Sequence, residues 1–230
     1  WEPYPASLRI VNWIKWALAG NELSDRATHS LAVQARWLRQ RLEWHLLGNH
    51  LFANAKALVF AGLFFGGPEA QEWRTTGIRI LTRELREQIL QDGGQFELSP
   101  MYHALALEDI LDLINIGNCY KDALPPNAAR FYDDLADRVQ PMRAWLSAMS
   151  HPDGKIAFFN DAAFGIAPTN AELEAYSARL GFPATTSPGP LVWLEDSGYA
   201  RLSSSSAVLI ADLAAVGPDY LPGHAHADTL

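Results

Sequence analysis

The chain has 230 residues, 49% of them hydrophobic and 19% charged, with a formal net charge of −8 and one cysteine, Cys119. That length suits one large domain, or one domain plus part of another. The negative balance argues against a nucleic-acid partner, whose phosphates need clustered Lys and Arg, and a lone cysteine excludes an internal disulfide framework.

The longest apolar run, Ala57-Leu58-Val59-Phe60-Ala61-Gly62-Leu63-Phe64-Phe65, falls well short of the ~18–20 residues of a membrane span and reads as a buried helix. An acidic protein can still hold a local cationic cleft for an anionic substrate. The eight tryptophans suit either a core or a surface that stacks on sugar rings. The first residue is Trp1, so the lack of a visible leader says little.

Periodic apolar positions predict a helix over 7–19, closed by Gly20-Asn21, and a long helix over 25–47 with Leu31, Ala35, Leu38, Leu42 and Leu46 on one face. Gly48 interrupts that pattern, and a second segment runs over 49–65. Further helices are expected over 68–90, 102–116, 125–149 and 170–180. Ser99-Pro100 reads as an N-cap with Pro at the first helical position. Residues 95–98 and 156–159 read as extended. Residues 199–202 and 207–213 read as strands joined by the serine-rich turn Ser203 to Ser206. Helices with short links suggest antiparallel hairpins, in a bundle, a solenoid or an α/α toroid. Because two strands are marginal alone, the chain is expected to be a helical domain joined to the start of a β-domain.

Three stretches can carry chemistry. In the first, Gly48-Asn49-His50-Leu51-Phe52-Ala53-Asn54, His50 and Asn54 share a helical face. The plainer reading has Asn49 capping the helix and His50 as an ordinary core or surface histidine. In the second, Glu97-Leu98-Ser99-Pro100-Met101-Tyr102-His103, a helix starting after Ser99 puts Tyr102 and His103 in its first turn. Free N–H groups there favour an anion and the phenolate form of Tyr102. The plainer reading is a packed ring with a surface hydroxyl. In the third, Pro222-Gly223-His224-Ala225-His226-Ala227-Asp228, a strand would point His224, His226 and Asp228 to one side, as metal ligands would be. The pattern also opens a motif of binuclear metallohydrolases, but Thr229 stands where those have a further histidine. Asp92, Glu97, Asp153 and Asp161 flank turns, as acid/base pairs or as turn-holding carboxylates. Arg74, Arg79, Arg83 and Arg86 read as a solvated helix face.

Together these stretches, with Pro152-Asp153-Gly154-Lys155-Ile156-Ala157-Phe158-Phe159-Asn160-Asp161 and the opening Trp1-Glu2-Pro3-Tyr4-Pro5 with Arg9 and Trp13, resemble the heparinase II/III family of polysaccharide lyases and their alginate-lyase relatives. The resemblance implies a mainly α chain: an α/α toroid of antiparallel helical hairpins over 1–184, then the first strands of an antiparallel β-sandwich domain over 185–230. It implies β-elimination at a uronic acid of an anionic polysaccharide. By position, Asn49 and His50 would neutralise the uronate carboxylate, Tyr102 would be the general acid and in some members also the base, and His224 would be a catalytic histidine from the β-domain. Asn54, Glu97 and His103 are expected to line the substrate site. No cofactor is required for catalysis; His226 resembles a ligand of a structural zinc found in some members. The expected location is periplasmic or secreted, with a cytoplasmic one left open. Rival readings are a non-catalytic toroid that binds or assembles a polysaccharide, and a metal-dependent hydrolase built on His224, His226 and Asp228.

Overall fold

A computed structural model describes residues 1–125, 128–215 and 220. The helices are α1 (Pro3–Leu18), α2 (Asp25–Arg39), α3 (Gly48–Phe64), α4 (Pro68–Gln88), α5 (Pro100–Cys119), α6 (Ala129–Ala148) and α7 (Asn170–Arg179), with a 3-10 turn at Lys121–Ala123. Strands β1 (Leu191–Leu194), β2 (Tyr199–Ser203) and β3 (Val208–Asp212) follow and form one antiparallel sheet in that order. The expected class, mainly α with antiparallel strands at the end, is the observed one. No helix among the described residues is long and apolar enough to cross a membrane. The chain falls into two compact units, Trp1–Leu85 with Leu113–Tyr132, and Arg86–Asp112 with Asp133–Leu230.

In the first unit, α1 buries Ile10, Val11 and Ile14, and α2 buries Leu31, Ala35 and Leu38. α3 is apolar on nearly every side and buried from Leu51 to Leu63, as a helix with no polar face must be. Each large side chain so buried contributes about 1.5–3 kcal/mol. The α3–α4 hairpin is held close by glycines. A Cβ on Gly62 would lie 2.6 Å from the Ala70 carbonyl, and one on Gly77 would lie 2.6 Å from the Ala55 carbonyl.

The long helix expected over 25–47 is shorter. Ser24 caps its start through Ala27 N–H, but α2 ends at Arg39. The Glu43 N–H donates to Asn54 Oδ1 at 2.9 Å, and the Glu43 carbonyl accepts from the N–H groups of Leu46 and Leu47 at 3.0 Å. Tertiary and turn bonds thus replace the helical ladder. Leu46, counted on the apolar face, is 41% exposed.

The second unit is built around Trp145, which is fully buried among Leu98, Ala148, Met149, Ala157, Leu194 and Tyr199. Its Nε1 donates to Ser197 Oγ at 2.8 Å. The Ser197 hydroxyl and N–H both donate to Asp92 Oδ2 at 2.8 Å, so the turn between β1 and β2 is tied to the turn after α4. Gly93, at φ +91°, packs against the Pro141 carbonyl inside α6, where a Cβ would sit 2.5 Å from that oxygen. The imidazole of His103 stacks on Trp145, centroids 4.3 Å apart. Its Nδ1 accepts from Gln95 N–H at 3.2 Å and its Nε2 donates to the Met142 carbonyl at 2.9 Å.

Strand β1 is an addition to the two expected strands. It is four residues long, too short to show alternation, yet it pairs Leu191 with Leu202 through Leu194 with Tyr199. The sheet buries Leu194, Tyr199 and Arg201 on one face and exposes Leu191, Trp193, Leu202 and Leu209 on the other. Burial lowers the pKa of Arg201, and its Nη1 donates to the carbonyls of Ala148 and Ser150 at the end of α6, at 2.9 and 2.7 Å. Residues 95–98 and 156–159 are not strands; each stretch has one isolated bridge, Ile89 with Gln95 and Ser150 with Ile156.

This packing can be probed at two points. Gly77→Ala brings about 1 kcal/mol of helix propensity, but the clash with α3 outweighs it, so the denaturation midpoint should fall; an unchanged midpoint would mean that the two helices part freely. His103 is held to a pKa of about 4 from an ordinary 6.5 by burial, against the opposing pull of the Met142 carbonyl and the Asp92 charge. The unfolded chain therefore takes up a proton between pH 6.5 and 4 that the fold refuses. Stability should drop by roughly 3 kcal/mol across that window as pH falls. His103→Gln, whose amide can serve the same two backbone groups, should flatten that slope in denaturant titrations run at a series of pH values.

Candidate functional site

The first cluster begins where α3 starts. Leu47 holds the N-cap position at φ 57°, ψ −149°, with no side-chain cap. That is close to a region used almost only by glycine, and such residues cost about 1–3 kcal/mol. The unusual turn puts Gly48, Asn49 and His50 in the first helical turn, where the partial positive charge of the helix lies. Asn49 is therefore inside the helix and does not cap it, unlike the plainer sequence reading. Its side chain is partly exposed and has no hydrogen bond among the described residues.

His50 is also partly exposed. Its Nδ1 lies 3.1 Å from Glu43 Oε1, and its ring packs against that of Tyr4, centroids 4.5 Å apart and tilted by 30°. Asn54 is fully buried. Its Oδ1 takes the Glu43 N–H, and its Nδ2 donates to Glu43 Oε2 at 2.9 Å and to Ser7 Oγ at 3.1 Å. Asn54 thus stands one step behind His50, holding Glu43, with its amide fully occupied. It does not line an open substrate surface.

The second cluster lies where α5 starts. Leu98, at φ 60°, turns its carbonyl toward Tyr199 Oη at 2.7 Å and Asn160 Nδ2 at 3.3 Å. Ser99 precedes the helix and its carbonyl accepts from His103 N–H at 2.8 Å. The expected side-chain cap does not form: Ser99 Oγ is buried with no hydrogen-bond partner among the described residues. Tyr102 is in the first turn and partly exposed, with its hydroxyl 3.4 Å from Asp161 Oδ2. Asn160 and Asp161 both have positive φ, 46° and 56°. Asn160 Nδ2 also donates to Tyr199 Oη at 3.0 Å, so the segment that carries Asp161 is pinned to β2.

Glu97 is buried and pairs with Gln95, whose Nε2 donates to Glu97 Oε1 at 3.1 Å and whose Oε1 accepts the Glu97 N–H at 3.0 Å. His103 is fully buried with both ring nitrogens engaged. As placed, both shape the loop before Tyr102 rather than line an open surface. Of the turn carboxylates, Asp92 and Asp153 serve backbone N–H groups at Gly94, Ser197 and Lys155, as holding residues do. Arg79, Arg83 and Arg86 are exposed, as a solvated face requires, but Arg74 is half-buried and its Nη1 donates to the Ala123 carbonyl at 3.1 Å.

The first unit thus gathers Tyr4, Glu43, Asn49, His50 and Asn54, and the second gathers Glu97, Tyr102, His103, Asn160 and Asp161. Glu43, Tyr4, Asn160 and Tyr199 were not singled out from sequence as chemical candidates. Glu43 was hidden by the helix expected through it. His224, His226 and Asp228 lie outside the described residues. Among the described residues no three His, Cys, Asp or Glu side chains gather closely enough to hold a metal ion.

Known proteins share this arrangement of elements. The family model described as Heparinase II/III N-terminus matches residues 22–183, and that described as Heparinase II/III-like, C-terminal, matches 186–230. Heparin-sulfate lyase of Bacteroides stercoris is 36% identical over 116 residues, and that of Pedobacter heparinus 35% over 119. Each alignment takes in 50% of this chain but only 17% of the relative. The crystal structure of heparinase III superposes with a TM-score of 0.72 at 20% identity, covering 92% of this chain and 37% of that one. This likeness supports the α/α-toroid fold class implied by the sequence. With residues 22–183 matching the N-terminal model and 186–230 the C-terminal one, the chain belongs to the heparinase II/III family.

Proposed function

We propose that the protein is a polysaccharide lyase that cleaves a uronic-acid-containing anionic polysaccharide by β-elimination. The observation that carries this reading is the pair of helix starts. Asn49 and His50 occupy one first turn and Tyr102 another, each partly exposed and each shortly after a leucine of positive φ. The relatives' activity, given by their names as heparin-sulfate lyase, supports a glycosaminoglycan as the substrate class. A polymer of that kind would be met in the periplasm or outside the cell, which is the location proposed.

The chemistry needs these groups. The C5 proton of a uronate is poorly acidic while the neighbouring carboxylate keeps its charge. In this reading the Asn49 amide and, once the ring is protonated, His50 Nε2 donate hydrogen bonds to that carboxylate, and the positive end of α3 adds to the effect of the amide. The electron pair left when the C5 proton departs forms the C4–C5 double bond, and the C4–O4 bond breaks. Tyr102 takes the C5 proton as phenolate or gives its proton to the departing oxygen. Asp161, beside the hydroxyl, orients it. His224 is proposed as a further catalytic histidine. No step here passes through a metal; His226 is proposed only as a ligand of a structural zinc.

The intact protein, mixed with heparin-sulfate or other uronate polymers, should produce the rising ultraviolet absorbance of an unsaturated uronate. Tyr102→Phe should lower that rate by about 10²–10⁴-fold and Asn49→Ala by about 10²–10³-fold, with folding unchanged by circular dichroism. Binding without any unsaturated product would instead identify a non-catalytic polysaccharide binder. Full activity in Tyr102→Phe would remove the phenol from the mechanism.

A further inference from the structure

We infer that Glu43 is a positioning residue that fixes the tautomer of His50, placing the ring proton on Nδ1 and leaving Nε2 as the nitrogen offered to substrate. The role of Nε2 toward substrate rests on the lyase reading; the tautomer itself rests only on the hydrogen bonds of this cluster.

The Glu43 N–H can only donate, so the Asn54 atom 2.9 Å from it is the amide oxygen. The other end of that amide is then NH₂, and it points at Ser7 Oγ and at Glu43 Oε2, 2.9 Å from the latter. The hydrogen-bond network thereby fixes which way the amide faces. An ionised carboxylate accepts only. With Oε2 receiving the Asn54 NH₂, Oε1 receives the third donor of the cluster, His50 Nδ1–H, at 3.1 Å. Glu43 is 5% exposed, so water competes weakly for the carboxylate. The Tyr4 ring against the imidazole limits its tilt.

The consequence is functional. Nε2 has no hydrogen-bond partner among the described residues. In the neutral ring it is an acceptor; once protonated it is a donor for a uronate carboxylate, and the Glu43 charge on the opposite side balances the imidazolium. An imidazole with its proton on Nε2 and an acceptor at Nδ1 would leave the Glu43 carboxylate facing a lone pair, which a buried carboxylate does not tolerate. The arrangement is the orienting carboxylate–imidazole pair of general acid–base sites, built here from a turn and a helix start.

Glu43→Gln tests this sharply. In that variant the backbone N–H of the substituted residue would still take Asn54 Oδ1, so the Asn54 NH₂ would still need an acceptor and would claim the new amide oxygen. The new NH₂ would then face His50 Nδ1, which must accept, and the ring proton moves to Nε2. Two-bond ¹H–¹⁵N correlation spectra of histidine-labelled protein read the tautomer directly, with His50 assigned by its loss in His50→Gln. The expected result is an Nδ1–H ring in the parent protein and an Nε2–H ring in Glu43→Gln. In the intact enzyme kcat should fall by about 10²-fold or more with KM little changed. A parent His50 carrying its proton on Nε2 when neutral overturns the inference, and that spectrum needs no variant to fold. An unchanged tautomer in folded Glu43→Gln also overturns it. If the tautomers are as expected but the parent forms no unsaturated product, the lyase reading fails and the positioning role stands. If product forms while His50 has the other tautomer, the reverse holds.

Discussion

One buried amide–carboxylate pair, Asn54 with Glu43, decides where the third helix can start. By capturing both the backbone N–H and the side chain of Glu43, Asn54 pulls the 40–47 turn onto α3 and ends α2 early. The helix must then begin after a leucine in a conformation that few side chains adopt. That costly geometry puts Asn49 and His50 in the first turn, and a buried pair with every polar atom engaged can hold it. Backbone strain at Leu47 is thus offset by the hydrogen bonds of Asn54, two turns further along the same helix.

The second unit uses the same device with different parts. Leu98 adopts positive φ, and its carbonyl, turned inward, is received by Tyr199 and Asn160. Tyr199 belongs to β2, so the sheet supports the loop that leads to Tyr102. The turn between β1 and β2 adds a second tie, through Ser197 and Asp92. His103 and Trp145 fill the space between these ties with a stacked, neutral ring pair. Glu97 and His103, both buried, pack the loop that leads to the partly exposed Tyr102.

Much of the helical order was legible because it rests on period and punctuation. Leu31, Ala35 and Leu38 repeat at helical spacing and are buried, and Gly66-Gly67-Pro68 separates two helices where it should. The failures have physical causes. Leu42 and Leu46 continue the period past the point where a long-range hydrogen bond stops the helix, and local spacing carries no trace of Asn54. β1 is four residues beside a proline, too brief for alternation to show. Ser99 has the residue type of a cap, but its buried hydroxyl makes no hydrogen bond to the helix N–H groups. For the candidate site, the positions of Asn49, His50 and Tyr102 could be read as motif residues, while Glu43, Asn160 and Tyr199 could not. Their roles come from partners that lie 7 to 101 residues away in the chain.

Under the proposed function, a chain of net charge −8 would have to receive a polyanion. Long-range repulsion works against such an encounter, so affinity must come from short-range groups at the contact. A helix start supplies oriented N–H dipoles without adding a formal charge that the fold must solvate. An amide such as Asn49 adds further donors at no cost in charge. Glu43 beside His50 looks counterproductive for binding an anion, since it adds a negative charge. Its burial and its hydrogen bonds keep that charge satisfied from within, and what it presents outward is a ring whose free nitrogen is already chosen. In the proposed reaction such an arrangement would trade bulk attraction for orientation, which removal of a weakly acidic proton requires.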